Sequence, residues 1–516
     1  MGISRIFFFS CVTVFAAFAS SAEMEYATPE SQGVKSSSII NYLQECNRHF
    51  NSKGLAGAMH GVVILRHGKI IAEGTWKPFN TLEDTHILYS HSKSFTSTAI
   101  GLLVYDGKLN INERVVDIFP EESKGVDNEN LKQLRVVDLL TMNVGASKDH
   151  CLPRDSDNWI RAFFGKPFDR RPGSCFKYDS DASFMLSAIV QKRSGKNMME
   201  FLKERLFDKI GIRKAWSTYS PEGIACGGWG MNMTTREMAR FGQLYLQKGY
   251  WNGELVINPR WIELATTSHT PSGWNNIAIR ALGTGSDWEQ GYGFQFWRCM
   301  HDAYRADGAS GQLTVVFPKQ DMVVSIHAGL KNPSLELQLL YKHLISDLSD
   351  SPLPENPQDH AKLKNICENL SIKPIEGSCG EVAEYCGVEY SIEKNKCGIK
   401  SAKLYRKDGK LFLEFTANGF VNNLEVGSGY WAPGTVQIHG GDAEWLGAIL
   451  GPQRAVTSGA YEKKDSWYRV RSYLTGTTTF IEFRFFEKDN TPVVEGRVWS
   501  LGGCRFKGVA KGANRE

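Results

Sequence analysis

The sequence predicts an α+β protein: helices flanking an antiparallel sheet, followed by an all-β barrel or sandwich. Three observations carry that expectation. At 516 residues the chain is too long for one core of ordinary size. Strand-like runs stand at both ends of the first 350 residues with helical patterns between them, and from about residue 383 short apolar runs alternate with Gly, Asn and Asp turns. Apolar residues at 42% and charged residues at 22% are globular values. The formal charge of +4 is spread among both signs, which leaves no basic stripe for nucleic acid.

The elements follow in chain order. Arg5 precedes the apolar run IFFFSCVTVFAAFA and the small residues Ala19-Ser20-Ser21-Ala22, the pattern of a secretory signal cut near Ala22. The run is shorter than the roughly 20 residues that span a bilayer, so a secreted or periplasmic protein without a transmembrane segment is expected. SSSIINYLQECNRHF, residues 36–50, has apolar groups at helical spacing. GVVILRHG and KIIAEGTW, joined by Arg66-His67-Gly68-Lys69, read as a hairpin. From Ser90 to Asp106 the pattern is helical and Gly107 ends it. RVVDLLTM, SFMLSAIVQKRSG, TTREMARFGQLYLQKG and PSLELQLLYKHLISDL are helical too, while GYGFQFWR (291–298), GQLTVVFP (311–318) and MVVSIHAG (322–329) read as strands.

A Pro-rich stretch from Ser349 to Pro357 marks a boundary. The expected division is a signal over 1–22, a sheet-and-helix domain over 23–350, a linker with a short helix over 351–382, and a β-rich domain over 383–516. Ten cysteines remain beyond the signal, an even number that in an exported chain favours disulfides without fixing their pairing. Neither C-x-x-C nor H-E-x-x-H occurs, so no metal site is expected.

S-x-x-K occurs at Ser90, Ser174 and Ser391, as often as chance allows. Only Ser90 opens a long apolar-faced helix. There the unpaired N–H groups and the macrodipole favour developing negative charge, and Lys93 lies on the same face. A buried Lys93 would lose its proton readily and serve as base. His91 faces another side and reads as packing, as more often do Trp274, Trp288 and Trp297, which could also line an apolar pocket. No G-x-S-x-G elbow exists.

The ordered segments YSHSKSFTSTAIGLLVYDGKLNINERVVDIFP, LRVVDLLTMNVGAS, PGSCFKYDSDASFMLSAIV and GGWGMNMTTREMARFGQLYLQKGYWNGE resemble the serine β-lactamase class C and penicillin-binding-protein superfamily, closest to its secreted esterase-like branch. The resemblance covers roughly residues 25–350, and the tail resembles the β-rich domain some members carry. It implies Ser90 as acylated nucleophile, Lys93 as its activator and Tyr178, in Tyr178-Asp179-Ser180, as proton shuttle. Ser180 falls on the wall of the site. The backbone N–H groups of Ser90 and Ala309 would form the oxyanion hole.

The third family motif, K-T-G or H-x-G, falls on Ala306-Asp307-Gly308, also on the wall. Ala306 replaces the family's cation, and strand alternation turns Arg305 and Asp307 away. A group that helps hold substrate carboxylates is therefore missing. The expectation is a serine hydrolase needing no cofactor, acting on a small ester or amide, with esters preferred. A D-alanyl peptidase, penicillin-binding protein or β-lactamase, and a non-catalytic binding protein on the same fold, stay open.

Overall fold

The computed structural model describes residues 23–51, 57–146, 156–270, 286–378, 380–438, 452–499 and 503–512. The predicted signal, Trp274, Cys151 and Cys379 lie outside them. The first hairpin is β1 (Met59–Arg66) and β2 (Lys69–Thr75). Two small ribbons follow: β3 (His86–Ile87) with β4 (Asn232–Met233), and β5 (Tyr250–Trp251) with β6 (Glu254–Leu255). The late strands are β7 (Trp297–Arg298), β8 (Tyr304–Gly308), β9 (Gln312–Phe317) and β10 (Met322–Ala328).

They join the hairpin in one antiparallel sheet of order β2-β1-β10-β9-β8-β7. A sheet built from both ends of this region is what the sequence predicts. Both of its faces are covered. Val63 and Leu65 of β1 meet the apolar cluster that holds Phe95 and Ile100 of the helix Ser92–Tyr105. Val62 and Ile64, pointing oppositely, meet a second cluster with the helices Ser36–Cys46 and Ser334–Leu340. Each such side chain contributes roughly 1.5–3 kcal/mol on burial.

Caps fix the helices that matter to the site. The helix Ser180–Ser194 starts on Asp179, whose side chain accepts from the Asp181 N–H, and stops at Gly195 with φ 75°. Thr234 and Glu237 form a reciprocal capping box at the start of Thr235–Leu246. The expected linker helix spans Pro357–Glu368 and buries Leu363 in the second cluster.

The β-rich part consists of β11 (Glu389–Ile392), β12 (Ile399–Lys407), β13 (Lys410–Ala417), β14 (Phe420–Glu425), β15 (Ala432–Val436), β16 (Gln453–Glu462), β17 (Trp467–Leu474), β18 (Phe480–Lys488), β19 (Thr491–Trp499) and β20 (Arg505–Ala510). They form one antiparallel sheet, β14-β13-β12-β11-β20-β19-β18-β17-β16-β15, curled into a near-barrel around its own apolar core. Asn422 on β14 helps close it, donating to the Gln437 carbonyl at 3.1 Å and accepting from the Gln437 N–H at 2.6 Å. Tyr473, Phe480 and Trp499 face outward into the second cluster and bind the barrel to the sheet-and-helix part.

One expectation needs correction. Of GYGFQFWR only Trp297–Arg298 is strand. Its aromatics are core residues, but Gln295 sits at φ 64° and turns inward, donating to the Leu139 and Leu140 carbonyls and accepting from Ser183. That two-residue strand is the edge of the sheet, paired to β8 through Trp297 with Arg305 and Arg298 with Tyr304. The expected disulfides are represented by Cys397–Cys504, in the β-rich part. Cys46, Cys226 and Cys299 are buried single thiols, packed as small apolar groups in different places.

Candidate functional site

Ser90 does not lie in the α-helix itself but on a 3₁₀ turn, Tyr89–His91, that runs into it. Tyr89 is held at φ 47°, a conformation uncommon for a residue with a side chain. Three contacts hold it: the Ser92 hydroxyl donates to the Tyr89 carbonyl at 2.7 Å, the Leu88 N–H donates to the Met231 carbonyl at 2.8 Å, and the Tyr89 hydroxyl lies 2.7 Å from that of Thr478. The last contact crosses from the turn between β17 and β18. The barrel thus touches the residue before Ser90.

Lys93 is buried, 1% exposed, with Ser90 partly open beside it. Its Nζ donates to Ser90 Oγ and Ser180 Oγ, both at 3.0 Å, and to the Gly228 carbonyl. Burial brings its pKa down to about 7, against the opposing pull of the Asp179, Asp181 and Asp307 carboxylates. An amine so poised can take a proton from a serine hydroxyl at neutral pH. Tyr178 is placed where it could carry a proton too: its ring lies 4.9 Å from Lys93 Nζ and its hydroxyl is hydrogen-bonded to Ser90. Burial pushes this phenol upward, so it stays protonated. Trp297 stacks on it with centroids 5.7 Å apart, and Trp288 meets Trp297 edge-on.

The third motif ends β8. Gly308 presses on the Ser90 turn so closely that a Cβ there would stand 2.0 Å from the Leu88 carbonyl oxygen and 3.2 Å from the His91 N–H nitrogen. This contact packs the end of β8, the residue before Ala309, against the Ser90 turn. Ala306 is buried in the cluster shared with the Ser90 helix and contributes no charge. Arg305 and Asp307 pair with each other at 2.7 Å, and the guanidinium lies 4.4 Å over the Trp288 ring. Arg305 is thus no substitute cation, as the alternation predicts. Asp307 is less remote than that reading has it, because its field raises both Lys93 and Tyr178.

Ser90, Lys93, Tyr178 and Ser180 come together, and Gly308 packs on the Ser90 turn. Ser180 has a closer place than the wall: it shares the Lys93 ammonium with Ser90. Gly228 escaped the sequence reading. Its signal was the glycine pair in GGWG, where a Cβ on Gly228 would meet the Ser180 carbonyl oxygen at 2.7 Å. The other S-x-x-K serines are elsewhere: Ser174 donates to the Arg171 carbonyl in a loop and Ser391 sits in the β11 ladder. His91 is packing, bonded to Thr314 at 2.9 Å. Among the described residues no group of His, Cys, Asp and Glu has the arrangement of a metal site, and no helix is long and apolar enough to cross a membrane.

Comparison with known proteins places this geometry. The chain is 26% identical over 283 residues to a 6-aminohexanoate-dimer hydrolase of Paenarthrobacter ureafaciens, covering 51% of this chain and 70% of that one. It is 26% identical over 188 residues to a D-aminopeptidase of Brucella anthropi, covering 35% of each. Among solved structures, the octameric penicillin-binding protein homologue from Pyrococcus abyssi matches over 91% of this chain and 98% of that one, at 15% identity and a TM-score of 0.47. The beta-lactamase family model matches residues 43–342, more than half of the sequence, and the chain belongs to that family of serine hydrolases.

Proposed function

We propose that Ser90 is the acylated nucleophile and that the preferred substrates are small carboxylic esters. The contact that carries the assignment is the 3.0 Å bond from Lys93 Nζ to Ser90 Oγ, made by a lysine held near pKa 7. Lys93 takes the serine proton as Ser90 Oγ bonds to the carbonyl carbon. The N–H groups of Ser90 and Ala309 receive the negative oxygen, and each such donor is worth roughly 2.7–4 kcal/mol of barrier. Tyr178 passes a proton to the leaving group, and water then releases the acyl chain. Ala306 supports the ester reading, since no cation stands there to hold a substrate carboxylate.

A second reading, a small amide, is favoured by two relatives named for amide substrates and by a protonated Tyr178 able to supply a leaving amine. Turnover of p-nitrophenyl butyrate, the linear 6-aminohexanoate dimer, D-alanine p-nitroanilide and a chromogenic cephalosporin separates these. The ester is expected to give the highest kcat/KM; a preference for either amide or for the cephalosporin would overturn the ester assignment. Ser90→Ala is expected to turn over substrate about 10³-fold or more slowly and to lose all fluorophosphonate labelling. Labelling that persists in Ser90→Ala would remove Ser90 from the mechanism. We also propose export with cleavage near Ala22, checked by the N-terminal mass of protein recovered outside the cytoplasm.

A further inference from the structure

The outer wall of the barrel carries a groove that the hydrolase chemistry does not use. Along β17 to β20 side chains alternate: Val470, Phe483, Val494 and Phe506 fill the barrel core, and the residues between them point outward. The register sets Arg471 opposite Glu482, Glu482 opposite Arg497, and Arg497 opposite Arg505. The first two juxtapositions pair opposite charges. The third sets two cations face to face, which by itself destabilises a sheet.

Glu482 cannot serve every guanidinium near it. It is 1% exposed and accepts from Arg471 Nε at 3.0 Å and from Arg484 Nη2 at 2.7 Å. Arg497 Nη2 lies 3.4 Å from it, near enough to feel the charge but not aligned as a hydrogen bond, and Arg497 Nε and Nη2 are both buried without a hydrogen-bond partner. The groove beside them, about 480 Å³, is lined by the cations Lys394, Arg484, Arg497, Arg505 and Lys507 and by the carboxylates Glu393, Glu482 and Glu495. Two positive charges are left over. Two guanidinium groups facing each other across neighbouring strands match the fork geometry that binds tetrahedral oxyanions.

We propose that this groove binds a dianionic oxyanion of the phosphate or sulfate class between Arg497 and Arg505. The ligand offsets the like-charge pair and balances the surplus charge of the lining. A free ion and the terminal ester of a phosphorylated or sulfated molecule share this chemistry.

Isothermal titration of the full chain with inorganic phosphate and with sulfate, against sodium chloride at matched ionic strength, tests it. Saturable one-site binding of both dianions is expected, weakened at least tenfold in Arg505→Gln, whose exposed side chain can be changed without touching the core. Arg497→Gln is expected to weaken it similarly. As pH falls from about 8 toward about 6 inorganic phosphate, but not sulfate, is expected to lose affinity as its second charge is protonated. Glucose 6-phosphate binding more tightly than phosphate indicates a carried ester, and equal binding indicates the free ion. Heats no different from those of chloride, or unaltered binding by a folded Arg505→Gln, would overturn the proposal.

Discussion

Burial takes the Lys93 ammonium down to about 7, and the charge of Asp179 is the largest of those resisting it. As the proposed base, Lys93 must be unprotonated to act, so kcat/KM is expected to rise with pH through about 7 and to fall away below it. Asp179→Asn isolates the effect. Asn caps a helix as well as Asp, so the start of Ser180–Ser194 is kept while one negative charge is removed. The acid limb of the pH profile should then move below its wild-type position. A limb that stays in place would detach Lys93 from the profile. Much of this was legible in the residues, because Ser90, Lys93 and Tyr178 follow a spacing that chemistry constrains. The bonds from Lys93 to Ser180 and to Gly228 were not, because each spans more than eighty residues and exists only once the helices pack.

The end of β8 meets the Tyr89–His91 turn, and Gly308 is what lets them meet; the proposed oxyanion hole of Ser90 and Ala309 rests on that approach. Gly308→Ala would drive a Cβ to 2.0 Å from the Leu88 carbonyl oxygen, so strand and turn must separate. Turnover is expected to slow by roughly 10²-fold or more, the order of one lost oxyanion donor, and the melting temperature to drop with it. Gly165→Ala, which meets nothing closer than 3.5 Å, is the neutral comparison. Wild-type turnover by Gly308→Ala would show that this approach does not shape the oxyanion site. At this scale the strands with regular period 2 and the capped helices announced themselves. GYGFQFWR did not, because alternating aromatics look alike whether a strand or an irregular loop buries them. Only the inward Gln295, which bonds to Leu139, Leu140 and Ser183, tells the two apart.

Across the whole molecule, the seam between barrel and sheet gathers histidines that the folded chain keeps neutral. His60, His86, His91 and His327 are at most 1% exposed; His60 stacks on Phe79 at 3.6 Å, His86 lies 3.0 Å from His60 and 4.6 Å from the ring of His327, and the Thr477 backbone on the barrel reaches His86. Burial lowers all four, His86 to about 4 and His91 to about 3. The unfolded chain takes up these protons near pH 6.5 and the folded chain does not, so their contribution to stability is whole above 6.5 and is lost as pH falls toward the folded values. Each histidine costs about 1.4 kcal/mol per pH unit in that window. Glu336, raised well above the usual carboxylate range by burial, acts oppositely, since it holds a proton that the unfolded chain releases. Lys93 is protonated in both states there and adds nothing. The four histidines outnumber the one carboxyl that opposes them, so stability is expected to fall as pH drops from 6.5 to 4.5. Urea unfolding at half-unit steps of pH should return that slope, and His86→Gln should reduce it by about one proton. A flat profile, or an unchanged slope in His86→Gln, would mean that the seam opens to water before its histidines are asked to charge.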